Sequence, residues 1–308
     1  MLYNYLNELK DCAWCPHECH ADRLNDNNGY CQTGHTFDIA SICKHLGEEP
    51  VISGEKGICN VFFTHCNLQC IYCQNHQISN NNAVQSLNIR SIKDIVSEIC
   101  TKLDQGINLL GFVSPSHFIP QTKSIIYTLH EQGRKPTIVY NTNSYDKVES
   151  LRSLENLVDV YLPDFKYADN RLAIDYSDAP GYPEVALKAI KEMVRQKGTS
   201  IRLNDEGQAE SGVIIRHLVL PGHVENSLDV LRLIAEEISP LVHISLMSQY
   251  YPSHGSIHHP VIGRTLLKEE YEAVINAMSK LGLERGWLQE FDSNMHYRPD
   301  FFREQPFY

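Results

Sequence analysis

The sequence predicts an α/β fold, a partial (β/α)6 TIM-like barrel with a cysteine-rich N-terminal appendage. Three observations lead to this fold class. The chain has 308 residues and 42% apolar content, which is enough to bury one large core. Short β-branched runs alternate with amphipathic segments of helical period, as is typical of a parallel sheet covered by helices. Four cysteines precede these units, between residues 12 and 31.

Six runs are predicted as strands of the sheet. In chain order they cover residues 58–64, 108–114, 137–143, 158–165, 213–220 and 243–248. Three helices between and after them are the clearest. The first is capped by Ser91, the second starts near Pro183 and ends at Gly198, and the third covers residues 268–281.

The chain divides into three predicted parts. The cysteine-rich segment covers residues 1–50, the barrel 51–285, and a C-terminal extension 286–308. The extension is rich in aromatic residues, and we expect it to close the open side of the barrel. Sites in such sheets gather at the carboxyl ends of the strands, so the residues that follow the six strands are the candidates for a functional site.

Charge and hydropathy exclude several classes of partner. The formal net charge of -11 argues against nucleic acid, because nucleic-acid binding relies on clustered Lys and Arg. Residues 1–10 are polar and lack the hydrophobic stretch of a signal peptide, and no apolar run is long enough to span a bilayer. We therefore expect a cytoplasmic protein with no membrane partner, whose ten cysteines are ligands or buried thiols rather than disulfides.

Three cysteines follow the first predicted strand at a distinctive spacing. Cys66, Cys70 and Cys73 stand in the run Cys-Asn-Leu-Gln-Cys-Ile-Tyr-Cys. Their thiolates can each bind one iron of a cubane [4Fe-4S] cluster and leave the fourth iron open, whereas cubane ferredoxins close all four irons with cysteines. The alternative is a zinc site completed by Cys59 or His76, but neither residue falls in a usual zinc pairing.

This spacing, with an aromatic residue before the last cysteine, resembles the signature of the radical S-adenosylmethionine (SAM) superfamily. The resemblance implies that the amine and carboxylate of SAM chelate the open iron and that the backbone around Tyr72 contacts the adenine. It also implies that an electron from the cluster cleaves SAM to a 5'-deoxyadenosyl radical, which abstracts hydrogen.

Two strand ends carry small polar residues where that superfamily holds SAM. After the second strand, Ser114 and Ser116 stand where the superfamily often has a Gly-Gly-Glu-Pro-like segment, and hydroxyls or carbonyls there can accept from the methionyl ammonium. A capped strand-to-helix turn is the alternative. The third strand ends with Asn141 and Asn143, similar to the Asp-Thr-Asn-Gly segment of glycyl-radical-enzyme activases with the acid replaced. These asparagines are predicted ligands of the ribose or carboxylate.

The remaining strand ends carry charged or amide side chains. Asp164 and Lys166 match the Asp-Leu-Lys segment of the activases, so Lys166 is expected to pair with the methionyl carboxylate while Asp164 holds it. A plain ion pair on a loop is the alternative. Arg216 lies in a run similar to the activases' Arg-Tyr-Val-Val-Val-Pro-Gly and is a candidate for a bidentate contact with a carboxylate. Gln249 stands where the activases approach the ribose.

The N-terminal segment holds a second set of thiols. Cys12, Cys15, Cys19 and Cys31 lie within 20 positions. Four thiols this close in a reducing compartment normally ligate a metal, either a structural zinc or a second, fully ligated cubane. Zinc would fix a segment with too few apolar residues to fold unaided, and a second cluster could relay electrons. The alternative is four reduced cysteines in a loop-rich appendage.

From about residue 10 onward the chain resembles proteins akin to pyruvate formate-lyase activating enzyme. That resemblance implies hydrogen abstraction from a glycine of a partner glycyl-radical enzyme, with an electron donor such as flavodoxin or ferredoxin. A radical enzyme acting on a small molecule or another peptide is the alternative, favoured by the changed segments at Ser114 and Asn141. A third hypothesis is an iron-sulfur electron carrier without catalysis.

Overall fold

The computed structural model describes residues 5–25, 28–82, 89–293 and 298–307. The strands are β1 Phe37–His45, β2 Ile58–Phe63, β3 Ile89–Arg90, β4 Leu109–Val113, β5 Thr137–Thr142, β6 Val160–Pro163, β7 Arg202–Leu203, β8 Ala209–Leu218, β9 His243–Met247 and β10 Gly286–Leu288. The α-helices are α1 Pro50–Ser53, α2 His76–Ser79, α3 Ile92–Leu103, α4 Ile119–Glu131, α5 Val148–Arg152, α6 Asn170–Ser177, α7 Tyr182–Lys197, α8 Val224–Leu233 and α9 Lys268–Lys280. Short 3-10 turns cover Tyr5–Leu9 and His254–Ser256, and a π-helical turn covers Ile234–Ile238.

One sheet contains all the strands found in the described ranges. Its order is β10-β9-β8-β6-β5-β4-β2-β1-β3, with β7 paired to β8. Every neighbouring pair from β2 to β10 along this path is parallel, whereas β1 is antiparallel to β2, β3 to β1 and β7 to β8. The mostly parallel sheet with its helices agrees with a partial TIM-like barrel, so the predicted fold class is confirmed.

The six predicted strands correspond to β2, β4, β5, β6, β8 and β9, and the prediction is confirmed for each. It missed β10, a further parallel strand, and the antiparallel strands β1, β3 and β7. β1 lies inside the predicted appendage 1–50 and β10 inside the predicted extension 286–308, so both flanking segments contribute to the sheet. The division into three parts stays a prediction, and residues 1–4, 26–27, 294–297 and 308 of the flanks lie outside the described residues.

The three predicted helices are confirmed as α3, α7 and α9. α3 begins after Ser91, whose hydroxyl accepts the backbone N–H of Asp94 at 3.2 Å. α7 ends at Gly198, whose φ of 76° lies in the left-handed region that favours glycine. No helix within the described ranges is long and apolar enough to cross a membrane.

The two faces of the sheet bury different side chains. One face packs under the helices in the largest apolar cluster of the protein, which includes Val61, Phe112, Tyr140, Tyr161 and Ile215. On the opposite face, called here the inner face, a smaller cluster contains Ile58, Leu109, Val139, Val160, Leu162 and Ile214, with Ile52 of α1 packed on it. Because side chains alternate along a strand, polar residues such as Asn60 and Arg216 also lie on the inner face.

The C-terminal extension packs on the inner face beside α2. The rings of Phe301 and Phe307 lie 5.2 and 5.6 Å from the ring of Phe62 in β2. Gln77 in α2 accepts the backbone N–H of Phe301 at 2.7 Å and donates to Asp300 at 3.2 Å. The extension therefore covers part of the inner face next to the helix that follows the three-cysteine motif, in agreement with the predicted closing role.

Candidate functional site

The loop that carries Cys66, Cys70 and Cys73 runs from the carboxyl end of β2 to α2. Its backbone is tied to the end of α6, because Ile71 donates to the carbonyl of Tyr176 at 2.9 Å. Cys66 is buried, and Cys70 and Cys73 are partly buried. The motif predicted from spacing therefore lies at the edge of the sheet where sites of parallel α/β folds gather.

Each thiol of this loop has a hydrogen-bonding partner. The Leu68 N–H and the Asn143 side-chain amide lie 3.4 and 3.6 Å from Cys66 Sγ, the Ser177 hydroxyl donates to Cys70 Sγ at 3.0 Å, and Ser79 Oγ lies 3.2 Å from Cys73 Sγ. Donors of this kind stabilise a deprotonated thiolate, which is the form that binds a metal.

Burial raises the pKa of all three thiols, that of Cys70 to about 11. The positive charge of Lys166 acts in the opposite direction on each of them. Three buried thiols are costly to ionise together unless a cation takes up their charge, and bound iron does this. The donor set therefore fits an iron-sulfur cluster held by Cys66, Cys70 and Cys73.

Within the described ranges, no group of three or more His, Cys, Asp or Glu side chains is already arranged to hold a metal ion. All ten cysteines are free thiols. The fit thus rests on the positions of the thiols along their loop and on their hydrogen-bonding partners, rather than on a preformed cage.

Tyr72 is fixed through both its side chain and its backbone. Its hydroxyl lies 2.6 Å from that of Tyr167, which in turn lies 2.7 Å from Ser177 Oγ. Its carbonyl accepts the Ser253 hydroxyl at 3.1 Å. The backbone segment predicted to contact adenine is therefore held in place by residues from two distant parts of the chain.

The end of β4 offers one free hydroxyl and one occupied one. Ser114 has a φ of 49°, and its N–H donates to the carbonyl of Asn141 at 2.8 Å. In the part of the chain that the structure describes, the side chains of Ser114 and Asn141 make no hydrogen bond, so both are available to a ligand. Ser116 is fully buried and its hydroxyl lies 3.2 Å from that of Thr142, which gives it a partner within the protein.

Asn143 is engaged with the cysteine loop. Its amide nitrogen lies 2.8 Å from Asn67 Oδ1, and its own Oδ1 accepts the backbone N–H of Tyr145 at 2.9 Å. Asn67 in turn donates to the carbonyl of Tyr145 at 2.8 Å. Asn143 therefore positions the backbone next to Cys66, while its predicted contact with SAM stays a prediction.

Asp164 and Lys166 form the ion pair that the sequence suggested, with 2.5 Å between Oδ2 and Nζ. Burial by itself would lower the pKa of Lys166, but the negative charges of Asp164 and Cys70 outweigh it and raise the pKa. Lys166 therefore keeps its positive charge next to the cysteine loop.

Arg216 already binds two carboxylates of the protein. Its Nε donates to Glu49 at 2.8 Å, and its Nη2 pairs with both Glu48 and Glu49. Asn60 completes the cluster by donating to Glu48 at 2.9 Å, and Gly111 leaves the space for it, since a Cβ there would lie 2.0 Å from Asn60 Oδ1. The two glutamates engage the guanidinium, so the predicted contact of Arg216 with the SAM carboxylate gains no support here and stays a prediction.

Gln249 connects the end of β9 to the cysteine loop. Its Oε1 accepts from Gln289 at 2.7 Å, and its carbonyl accepts from the side chain of Gln74 at 3.2 Å. Gln74 directly follows Cys73. Gln249 thus lies beside the site, although its predicted contact with the ribose stays a prediction.

The remaining predicted ligands, Cys12, Cys15, Cys19 and Cys31, form a separate group whose segment packs against the loop at Cys66. His17 Nε2 lies 2.8 Å from the carbonyl of Asn67, the residue after Cys66. The structure thus brings the two cysteine-containing segments into contact, which the sequence did not predict.

Several residues of the site carried no local signal in the sequence. Glu48 and Glu49 precede Pro50 in what looks like a polar connection, and Ser177 ends a helix far along the chain. Gln289 follows a strand of three residues that was not predicted. Tertiary packing alone brings these side chains to the carboxyl edge and the inner face.

Comparison with known families decides the wider class. Residues 60–234, more than half of the chain, match the family described as the Radical SAM superfamily. The chain belongs to the radical SAM superfamily. Membership supports radical SAM chemistry, with a [4Fe-4S] cluster and SAM as its cofactors. The alternative of a zinc site at Cys66, Cys70 and Cys73 loses its ground accordingly.

Individual relatives agree with this assignment. The uncharacterized protein MJ0674 of Methanocaldococcus jannaschii is 29% identical over 285 residues, which cover 90% of this chain and 77% of the relative. Methylornithine synthase (PylB) superposes with a TM-score of 0.50 and 14% identity, covering 75% of this chain and 63% of that one. SuiB of Streptococcus suis, bound to its precursor peptide SuiA, gives a TM-score of 0.50 and 13% identity, covering 74% and 47%. At these identities the two structures establish the fold alone.

The branch within the superfamily is not decided by these comparisons. A domain of a pyruvate-formate lyase-activating enzyme from Bacteroides vulgatus superposes with a TM-score of 0.40, which is too low to support an argument.

The Arg216 cluster generates a prediction about acid stability. Burial by itself would raise the pKa of Glu48, but Arg216 and His45 outweigh it and lower the pKa below the ordinary value of 4.5. A lowered folded pKa stabilises the protein above the unfolded value, and this contribution is lost as the pH falls. We expect the unfolding free energy of the metal-free protein to decrease from about pH 5 downward, and Glu48→Gln to reduce that dependence.

Denaturant unfolding at a series of pH values measures this effect. Glu55→Gln is the matched control, because Glu55 is exposed and should leave the pH dependence unchanged. Equal pH dependence in the wild type and in Glu48→Gln would contradict the prediction.

Proposed function

We propose that the protein abstracts a hydrogen atom from a glycine of a partner enzyme, with a [4Fe-4S] cluster at Cys66, Cys70 and Cys73 and with SAM as the source of the radical. The observation that carries the proposal is the set of three buried, hydrogen-bonded thiols at the carboxyl edge of the sheet, next to the charged Lys166. When bound, the cluster supplies the electron that cleaves SAM to the 5'-deoxyadenosyl radical, which is the hydrogen abstractor.

The protein's own residues bind and orient the cofactor. Lys166 carries the positive charge that a methionyl carboxylate requires, and Asp164 fixes the direction of its ammonium group. The unengaged side chains of Ser114 and Asn141 are suited to hydrogen-bond the ammonium or ribose of SAM. Ser253 holds the carbonyl of Tyr72 in place for the adenine.

Tyrosine side chains shield this region from water. Tyr72, Tyr167 and Tyr182 are all buried. Tyr182 also accepts the backbone N–H of Lys166 at 3.0 Å and donates to the carbonyl of Asn143 at 2.9 Å, so it joins two strand ends. A dry, rigid surrounding suits a reactive radical, because solvent hydrogen atoms and competing reactions are excluded.

The choice of a glycine as substrate rests on the sequence resemblance at Asp164, Lys166 and Arg216. A small molecule or another peptide is the second candidate, favoured by Ser114 and Asn141 at positions where the activases differ. In either case reduction needs an external donor, for which flavodoxin or ferredoxin is suited. An electron carrier without catalysis is the remaining alternative, since it too would need only the cluster.

Cofactor cleavage is the first test. We expect the reconstituted, reduced protein to convert SAM to 5'-deoxyadenosine and Cys70→Ala to abolish this conversion, because the cluster loses one of its three ligands. Cys100→Ala is the matched control, because Cys100 lies in α3, away from both cysteine sets. Chromatography of the products measures the outcome, and a protein with an intact cluster that forms no 5'-deoxyadenosine would leave the carrier hypothesis ahead.

Lys166 provides a test of the cofactor site itself. Lys166→Met removes a charged hydrogen bond to the methionyl carboxylate, so we expect the KM for SAM to rise roughly tenfold or more. Lys188→Met is the control, because Lys188 is exposed on α7. The KM and kcat for 5'-deoxyadenosine formation decide the matter; an unchanged KM in a variant with a normal cluster would remove Lys166 from the SAM site.

The substrate is tested by electron paramagnetic resonance. The reduced protein is mixed with SAM and candidate glycyl-radical enzymes, and a doublet signal on the partner is the result expected for an activase. Transfer of deuterium from a labelled small molecule into 5'-deoxyadenosine, with no signal on any partner, would instead establish the second candidate.

A further inference from the structure

The four N-terminal cysteines come together although their segment has little regular structure. Between residues 10 and 36 the described residues form turns and one isolated bridge, from Cys12 to Ala21. Gly29 packs directly on Cys19, since a Cβ at Gly29 would lie 2.9 Å from Cys19 Cβ and 3.1 Å from its Sγ. A segment of this kind has too small an apolar core to fix its own conformation.

Electrostatics show that the four thiols are neighbours. Burial raises the pKa of Cys15 to about 12, and the negative charges of Cys31, Cys12 and Cys19 add to the rise. Cys19 Sγ accepts the backbone N–H of Tyr30 at 3.3 Å. Four thiols within electrostatic reach of one another repel as anions, and a metal centre removes this repulsion.

A buried arginine beside the group points to a negatively charged ligand. Arg23 is 1% exposed. Among the described residues its guanidinium partners are the carbonyls of Thr33, Gly34 and His117 and, at 3.8 Å, Cys12 Sγ, and no carboxylate is among them. Because a buried cation requires a compensating charge, this arrangement favours thiolates at the cysteine group.

We infer that Cys12, Cys15, Cys19 and Cys31 bind one metal centre closed by four thiolates, and that this centre fixes the backbone around Cys66. The shared chemistry of four thiolates suits a single zinc ion or a fully ligated iron-sulfur cluster. The metal site does not depend on the proposed function, whereas its effect on Cys66 rests on the radical role of that loop.

Two contacts connect the segment to the residues around Cys66. His17, between Cys15 and Cys19, lies 2.8 Å from the carbonyl of Asn67, and its ring stacks on Tyr30 with 3.7 Å between the centroids. The carbonyl of Tyr30 accepts the side-chain amide of Asn81 at 3.1 Å. The Oδ1 of Asn81 accepts the N–H of Cys66 at 3.1 Å, so this contact reaches the first ligand of the radical loop.

A third contact reaches the strand that leads into the loop. Arg23 donates to the carbonyl of His117 at 2.7 Å, and His117 Nε2 lies 2.9 Å from the carbonyl of Thr64. Thr64 precedes Cys66 by two positions. A metal centre that holds the N-terminal segment in place would therefore restrain the backbone on both sides of Cys66.

The metal site is tested without the radical cluster. The full-length chain with Cys66, Cys70 and Cys73 all changed to Ala is purified anaerobically, and zinc, iron and sulfide are measured. We expect about one zinc, or about four iron with matching sulfide, per chain. Adding Cys15→Ser should remove this metal, and adding Cys100→Ser instead should retain it.

X-ray absorption at the edge of the bound metal provides a second measurement. Four sulfur scatterers, at about 2.3 Å for zinc, are expected. A triple variant with less than stoichiometric metal, whose N-terminal cysteines titrate as free thiols or are paired as disulfides, would overturn the metal site. Because this variant lacks the radical loop's thiols, the result is independent of whether the protein cleaves SAM.

The connection to Cys66 is tested in the otherwise unchanged chain. We expect Cys15→Ser to lower the iron retained at the radical loop or to shift its paramagnetic resonance signal, and Cys100→Ser to leave both unchanged. If Cys15→Ser loses the N-terminal metal while the radical cluster keeps its iron and its signal, the connection is refuted and the metal site stands.

Discussion

Burial of three thiols in one short loop is the constraint on which the rest of the structure depends. Desolvation raises the pKa of Cys66, Cys70 and Cys73, so their ionised forms require donors and a cation close by. The carboxyl edge of a parallel sheet can supply both, because every strand of the sheet ends there. Asn143, Ser177 and Lys166 reach the loop from different strands and helices for this reason.

A second group of charges lies deeper in the fold, on the inner face. Arg216 holds Glu48 and Glu49, and Asn60 completes the cluster where Gly111 leaves room. Breaking such a buried pair leaves an uncompensated charge, so each member depends on the others. The cluster ties the connection before α1 to the strands β2 and β8, and thereby links the lower part of the barrel to the strands that carry the site.

The sequence predicted the parallel sheet well, because its strands are buried on both faces and appear as β-branched runs. It missed β10, which has three residues, and β1, whose antiparallel edge position gives no comparable run. The spacing of the three cysteines identified the site, but their donors could not be foreseen. Ser177 and Asn143 lie far from the motif along the chain, and Arg216 appeared to be available until tertiary packing placed two glutamates against it.

The most direct test of this account is electron–nuclear double resonance of the reduced protein with SAM isotopically labelled in its methionyl amine and carboxylate. If three thiols hold the cluster and leave one iron to the cofactor, both labels should show hyperfine coupling to the cluster. An intact cluster whose spectrum shows coupling to neither label, and is unchanged by SAM, would contradict the account.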